Sequence, residues 1–396
     1  MSLGLKQIAA TTLDIATLRY PSFVYSGGFS SNMIPVFCLH SVEPQSIEEM
    51  LSFLDANRYK TLNSDEYITA LTGKSHAPPK AVVLTFDDGW GSLWSVGFPI
   101  LQRHGTKIVV FLAAGRIENR RRYWPNLSDL GAGRCSAGDV TRRDKSDQPL
   151  LAWEEIREMH ESGLVDFQSH SLDHTLICKS SKIVDFVHPN LIENSNLLEL
   201  PCHADGKPLK RRSDVRLGEP LFQTAPRLSD TPGLHVDRRV IEECVDHVAD
   251  HGGEAFFDRP NWRSELLSVV GRTKTRNWPS ETRDEQAAAI GYDLAESRRL
   301  IEEMLPGKAV KHICYPWHEA GKIAVELSRE VGYEACYWGK TGGRYWTPLP
   351  GDPMKIARAG EDFLFRLPGK GRIRLLDIFA KKMQRRAKAG SPYLTH

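Results

Sequence analysis

Residues 81–89 read Ala-Val-Val-Leu-Thr-Phe-Asp-Asp-Gly, an apolar run that stops abruptly at two carboxylates and a glycine. A run of this length without polar alternation suits a strand of a parallel sheet buried on both faces. Asp and Gly are turn formers, so Asp87-Asp88-Gly89 marks the strand's C-terminal end. Side chains alternate along extended chain, so Asp87 and Asp88 project in different directions; one can bind a metal while its neighbour accepts a proton. The same residues can also do no more than close a strand.

Similar short runs recur at Ile34–Leu39, Lys107–Leu112, Leu164–Gln168, His312–Tyr315, Glu334–Tyr337 and Lys355–Ala357. Helical patterns lie between several of them. Ser46–Asn57 reads as a helix opened by a Ser46/Glu49 capping box, and Gly97–His104 reads as one stopped by Gly105. Seven strands with intervening helices predict an α/β fold, a (β/α) barrel of about seven strands. Such a barrel gathers its chemistry at the C-terminal ends of its strands. The rhythm breaks over 180–283, whose first half (HADGKPLKRRSDVRLGEP) is rich in Pro, Gly and charge and predicts loop, while the second half holds one clear helix, Asp237–His251, closed by Gly252-Gly253. The predicted organisation is an N-terminal extension (1–33), a first part of the barrel (34–179), a large loop-rich insertion near the active-site face (180–283), a second part of the barrel (284–368) and a basic C-terminal helix and tail (369–396).

The chain has 396 residues with 41% hydrophobic and 26% charged side chains, enough to bury a large core. A formal net charge of +2 gives no global reason to expect nucleic acid as a partner. The seven cysteines form no C-x-x-C pair, and Cys38, Cys314 and Cys336 sit inside apolar runs, where free thiols act as small buried hydrophobes. Their odd number and scatter fit a reducing compartment, and the first 30 residues carry Asp14 and Arg19 without a long apolar run, so a cytoplasmic protein is expected.

Two further stretches carry chemistry. His170-Ser-Leu-Asp-His174 follows the run at 164–168, and histidines four apart share one face of a helical turn and can grip one ion. Ile313-Cys-Tyr-Pro-Trp-His318 ends another run in a turn made rigid by Pro316. Trp317 can wall a sugar pocket or plug a core.

Together, Thr85-Phe-Asp-Asp-Gly89, His170-Ser-x-x-His174 and a strand ending Tyr315-Pro-Trp resemble the polysaccharide deacetylase family, the NodB-homology or carbohydrate esterase 4 group. The likeness covers about 34–176 and 295–368, with His40 after the first strand. It implies a distorted barrel and a metal-dependent hydrolase that removes an N-acyl group, acetyl above all, from an amino sugar. Carried over by position, Asp87 is the general base, and Asp88, His170 and His174 hold a divalent ion, with Zn²⁺ the first expectation. Three protein ligands leave a position for the attacking water, and the ion with a backbone N–H near Trp317 would stabilise the oxyanion.

Two departures stand out. The family's third motif is commonly Arg-x-Pro-Tyr, but this chain has Cys314 and Trp317 at the Arg and Tyr positions. Arg358, on the last strand candidate, is the expected replacement cation beside Asp87. The family's late general-acid histidine is also missing, since no histidine lies between His318 and His396. His318, at the barrel mouth, is therefore the expected general acid, with His40 as runner-up. Tyr315, Trp317, His40 and Arg358 are expected to face the amino-sugar substrate, with a nucleotide- or lipid-linked precursor of a surface polysaccharide as its expected form. A deformylase or other C–N hydrolase of a non-sugar amide, and a sugar-binding protein without catalysis, are the alternatives.

In the insertion, Trp262 and the cluster Arg211, Arg212 and Arg216 could meet a sugar or diphosphate, or form a core plug and a solvated charge run. In 370–388, Leu375, Leu376, Phe379 and Met383 predict one apolar stripe flanked by Lys370, Arg372, Arg374, Lys381, Lys382, Arg385, Arg386 and Lys388. Such a helix can dock on the barrel or make peripheral contact with an anionic membrane.

Overall fold

The computed structural model describes residues 12–388 apart from 27, 29–31, 121, 201–207 and 273–277, with the backbone alone for 382–388. The chain divides into two units, one of residues 1–172, 296–318 and 332–395, the other of 173–295 and 319–331.

The first unit is a barrel-like parallel sheet. Its strands are β1 (Val36–Leu39), β2 (Lys60–Thr61), β3 (Ala81–Phe86), β4 (Ile108–Leu112), β5 (Val165–Ser169), β8 (His312–Cys314), β9 (Ala335–Trp338), β10 (Ile356–Ala357) and β11 (Ala359–Gly360). They pair in the order β10-β9-β8-β5-β4-β3-β1-β11, with β2 beside β3. The last segment explains the closure. Ile356 and Ala357 pair with Tyr337 and Trp338 of β9, while Ala359 and Gly360 pair with Phe37 and Cys38 of β1. One short stretch thus bridges the first and last strands, and Arg358 stands at the changeover. Taking 356–360 as one strand, the seven expected strands run round the barrel in chain order, joined only by the short β2. Every residue of β3 and of β4 is buried, the burial on both faces that their apolar runs demanded.

Local chemistry sets several boundaries differently from the sequence reading. The helix after β1 is Pro44–Ala56, with Pro44 in its first turn and Glu43 as an N-cap without a side-chain bond. Ser46 therefore lies inside the helix and forms no capping box; proline, whose missing N–H costs nothing there, makes the start. The helix Phe98–His104 does stop at Gly105, which takes the left-handed conformation (φ 60°). In the N-terminal segment Phe23 and Val24 are fully buried and Tyr20 stacks on Tyr345, so part of the extension belongs to this core. In the C-terminal helix Leu375–Lys388, Ile378 is buried and Leu375 and Phe379 are partly buried, but Leu376 is 79% exposed. Leu376 is therefore not part of the packed stripe; Ile378, one helical turn from Leu375, takes its place. The side chains of Lys382, Met383, Arg385, Arg386 and Lys388 lie outside the described residues.

The second unit contains an antiparallel pair that composition concealed. β6 (Leu176–Phe186) pairs with β7 (Pro220–Pro226) through three register irregularities. Leu-Ile-Cys-Lys-Ser-Ser-Lys-Ile-Val-Asp-Phe has apolar ends around a polar middle and no period-two alternation, so the sequence carried little signal for it. Where one clear helix was expected, the second half of 180–283 holds two, Arg238–Asp250 and Trp262–Arg272; the helix Arg283–Met304 follows it. Phe186, Cys244, Val248, Phe256, Leu266 and Val269 form the core of this unit, with Trp262 packed against it. Arg212 donates to the carbonyls of Ile192 and Ser195, and Arg216 pairs with Glu242 and Glu219, so these two arginines tie the unit together.

Glu219 gives this unit a pH signature. Burial pushes its carboxyl up to about 7 against the opposing pull of Arg216. Between the ordinary glutamate value and about 7 the folded state holds a proton that the unfolded chain has lost, so stability falls as pH rises through that window. Glu219→Gln is expected to abolish the slope and to raise stability at pH 8 by up to about 3 kcal/mol. Denaturant titrations at pH 5 and pH 8 check this; equal slopes in both proteins would refute it.

Candidate active site

The site residues are delivered from the C-terminal ends of the strands. His40 follows β1, Asp87 and Asp88 follow β3, His170 follows β5, Tyr315 to His318 follow β8, and Arg358 joins β10 to β11. Ladder bonds carry on into the functional residues: Asp87 N–H donates to the Leu39 carbonyl at 3.0 Å and His170 N–H to that of Leu112 at 2.8 Å. Among the described residues eight non-glycines have positive φ, and five of them, Asp88, Ser171, His174, Trp317 and His318, lie in these loops. Such backbone is costly for L-residues and persists where surrounding structure enforces it. Gly89 (φ 86°) is required for a second reason: a Cβ there would meet Leu112 Cδ2 at 2.8 Å.

Asp87 is the most constrained group. It is 2% exposed, and Arg358, itself 1% exposed, grips it bidentately, with Nη1 to Oδ1 at 2.6 Å and Nη2 to Oδ2 at 2.7 Å. The rest of the guanidinium is used too. Nη1 also donates to Thr85 Oγ1 (3.0 Å), Nε to the Trp338 carbonyl (3.3 Å) and Nη2 to His318 Nδ1 (3.1 Å). All five donors of the planar fork thus have acceptors. Arg358 is therefore the partner of Asp87 and, being buried, is withdrawn from direct contact with a substrate. Burial alone would raise Asp87, but the charge of Arg358 and then that of His170 hold it far below the usual carboxylate range.

Two thiols complete the surroundings of Asp87. Cys38 Sγ lies 3.5 Å and Cys314 Sγ 3.6 Å from Oδ2. Burial pushes both thiols well up, so they stay protonated and act as donors. Cys38 and Cys314 are thus polar partners of Asp87 as well as space-fillers, which the apolar runs around them did not reveal.

Asp88 and His170 are each held at one atom and presented at another. Trp90 Nε1 donates to Asp88 Oδ2 at 2.8 Å, leaving Oδ1 at 3.3 Å from His170 Nε2. His170 Nδ1 donates to the Cys314 carbonyl at 2.7 Å, which orients the ring with Nε2 toward Asp88. His174 is four residues further along the same loop, and one ligand atom each from Asp88, His170 and His174 lies within 4.8 Å of the others. A carboxylate and two imidazoles, all buried and two of them oriented from behind, fit a zinc-type ion. Trp90 was legible only as the residue after the Asp-Asp-Gly turn. Trp90→Phe is expected to weaken divalent-metal affinity about 10–100-fold with the fold intact; unchanged affinity in a metal-competition titration would contradict the role.

The remaining expected residues divide. Tyr315 is fully buried, with its hydroxyl 3.1 Å from Cys336 Sγ and its ring edge-on to Trp338, so it is a core residue and cannot touch a substrate. Trp317 is partly buried in the left-handed turn, His40 is exposed, and ligand atoms of Cys38, His40 and Asp87 approach within 4.8 Å of one another. The backbone N–H of His318 is already bonded to the Tyr315 carbonyl at 3.0 Å and so is not a free oxyanion donor. His318 lies close under the β9–β10 turn, where a Cβ on Gly339 would meet its ring at 2.7 Å. A guanidinium has no lone pair, so His318 Nδ1 must accept from Arg358 and the ring proton sits on Nε2. Desolvation of the ring and, next, the charge of Arg358 lower His318 below the ordinary histidine range, although the residue as a whole is exposed to solvent. The geometry therefore presents a neutral imidazole rather than the imidazolium that a general acid requires.

Residues 74–187 match the polysaccharide deacetylase family. That stretch holds Asp87, Asp88, His170 and His174, while Arg358 and His318 lie beyond it. The chain is 23% identical over 149 residues to YxkH of Bacillus subtilis, and 29% identical over 136 residues to the poly-β-1,6-N-acetyl-D-glucosamine N-deacetylase of Escherichia coli K12. The enzyme of that name from Staphylococcus epidermidis is 26% identical over 143 residues. These alignments cover 36%, 33% and 36% of this chain and 43%, 18% and 41% of the relatives, less than half of each. Among solved structures, the BpsB deacetylase domain of Bordetella bronchiseptica superposes with a TM-score of 0.50 at 16% identity, covering 84% of this chain and 97% of that one, a likeness of fold.

Proposed function

We propose that this chain is a metal-dependent hydrolase that removes an N-acyl group, acetyl in the first instance, from an amino sugar. The observation that carries the reading is one carboxylate, Asp87, gripped by Arg358 immediately beside the Asp88, His170 and His174 ligand set. The names of the Escherichia coli and Staphylococcus epidermidis relatives support a polymer of N-acetylglucosamine as the substrate class.

Asp88, His170 and His174 would hold the ion, which supplies Lewis-acid polarisation and lowers the pKa of water. Asp87 would take a proton from the attacking water, a reading supported by its free capacity: Arg358 occupies one lone pair on each oxygen and the thiols approach Oδ2, so Oδ1 retains acceptor capacity. The guanidinium lowers the basicity of Asp87 but makes the protonated carboxyl a ready donor, so the same group can pass the proton to the leaving amine. We assign His318 the part of a neutral Nε2–H donor to the developing oxyanion, a role open to an imidazole held unprotonated by its surroundings.

Acetate release from β-1,6-linked N-acetylglucosamine oligomers by the purified full-length chain tests the proposal. Activity should vanish on chelation and return with Zn²⁺. Turnover that survives chelation would remove the metal from the mechanism. Failure on every N-acetylated amino sugar, with hydrolysis of formamides instead, would favour the deformylase alternative.

A further inference from the structure

A second cluster of ligand-type side chains lies wholly within the second unit. His247 and His251 are four residues apart at the end of the helix Arg238–Asp250, and Glu265 is in the first turn of the helix Trp262–Arg272. One donor atom from each lies within 4.8 Å of the others. His247 Nε2 is 2.9 Å from Glu265 Oε1. His251 Nδ1 lies 2.7 Å from the His247 carbonyl, which can only accept, so its ring proton sits on Nδ1 and Nε2 keeps its lone pair. That is the arrangement in which a backbone carbonyl orients a metal-binding imidazole from behind. The two rings stack with centroids 4.0 Å apart, and His247 stands edge-on to Phe256 at 5.6 Å.

We propose that His247, His251 and Glu265 form a divalent-metal site that is structural in role and independent of the barrel. A His247–Glu265 ion pair would account for only two of the three groups. Adding His251 as a second cation stacked on the first would be repulsive, whereas two neutral imidazoles and a carboxylate can share one doubly charged ion. Two imidazole nitrogens and one carboxylate oxygen select zinc, nickel or cobalt over magnesium or calcium. The ligand side chains are 16% exposed at His247 and 26% at Glu265, and His251 is exposed, so water can complete the coordination. The ion would staple together two helices that otherwise meet through the core of Cys244, Val248, Phe256 and Leu266. Arg259 is the competitor: Nη1 lies 3.6 Å from Glu265 Oε1, while Nη2 donates to the His251 carbonyl.

The test uses the full-length chain with His170→Ala and His174→Ala, so that the barrel ligands cannot contribute, stripped of metal and titrated with Zn²⁺ alone. About one equivalent of zinc should bind and raise the unfolding midpoint, because an ion that binds only the folded state stabilises it. Adding His251→Gln, an exposed substitution that spares the core, should abolish both binding and shift. Adding Arg259→Met instead should tighten binding by up to about fivefold, the range that an exposed ion pair is worth. No zinc bound by the barrel-deficient chain, or unchanged binding after His251→Gln, would overturn the site. Equal stabilisation by Mg²⁺ would overturn the assigned ligand chemistry.

Discussion

Replacing Arg358 with methionine is expected to destabilise the protein by about 3–5 kcal/mol, the usual consequence of leaving a buried charge without its partner. The pair it breaks is fully enclosed, with side-chain exposures of 0% for Arg358 and 2% for Asp87. The loss should come from stranding Asp87 rather than from the missing guanidinium as such, since buried pairs are often replaceable by neutral groups of similar volume. The double variant Arg358→Met/Asp87→Asn should therefore recover much of the loss, with a coupling energy well above the ~0.5 kcal/mol of independent sites. Urea unfolding of wild type, both single variants and the double variant supplies the cycle. Additive losses would mean that the contact between the two side chains is energetically idle.

Asp87→Asn should reduce turnover on N-acetylated amino-sugar oligomers about 10²–10⁴-fold, the range for loss of a positioned acid–base group. Metal content should be unchanged, because the proposed ligand set is Asp88, His170 and His174. His170→Ala should lose metal and activity together, since its Nε2 faces Asp88 Oδ1 and its Nδ1 is bonded behind to Cys314. Loss of zinc in Asp87→Asn would reassign Asp87 as a ligand, and full activity in that variant would remove it from the chemistry.

The fold was legible because its decisive features are local. An apolar run buried on both faces announces itself within six residues, and Asp87-Asp88-Gly89 and His170-x-x-x-His174 announce strand ends by residue type alone. The antiparallel pair β6–β7 was not legible in the same way. Its partners are separated by more than thirty residues, much of them polar loop, so neither strand reads as half of a hairpin. Tyr315 shows the converse failure. Beside Pro316 and Trp317 it reads as a site residue, yet Cys314 takes the face toward Asp87 and Tyr315, the next residue, is buried on the other face against Cys336 and Trp338.

Strand ends, carboxylates and histidines are legible in the chain alone, because strand period and turn chemistry are properties of neighbouring residues. Tertiary structure decided what those groups are able to do. Arg358 reaches Asp87 across 271 positions of chain only because 356–360 pairs with β9 on one side and β1 on the other. The thiol contacts arise in the same way, from β1 and β8 flanking that interior. His318 carries the clearest consequence: residue type makes it a general-acid candidate, but the guanidinium at Nδ1 sets its tautomer and lowers its proton affinity. A protonation state is fixed by the charges and burial around a group, and those exist only once the barrel has closed.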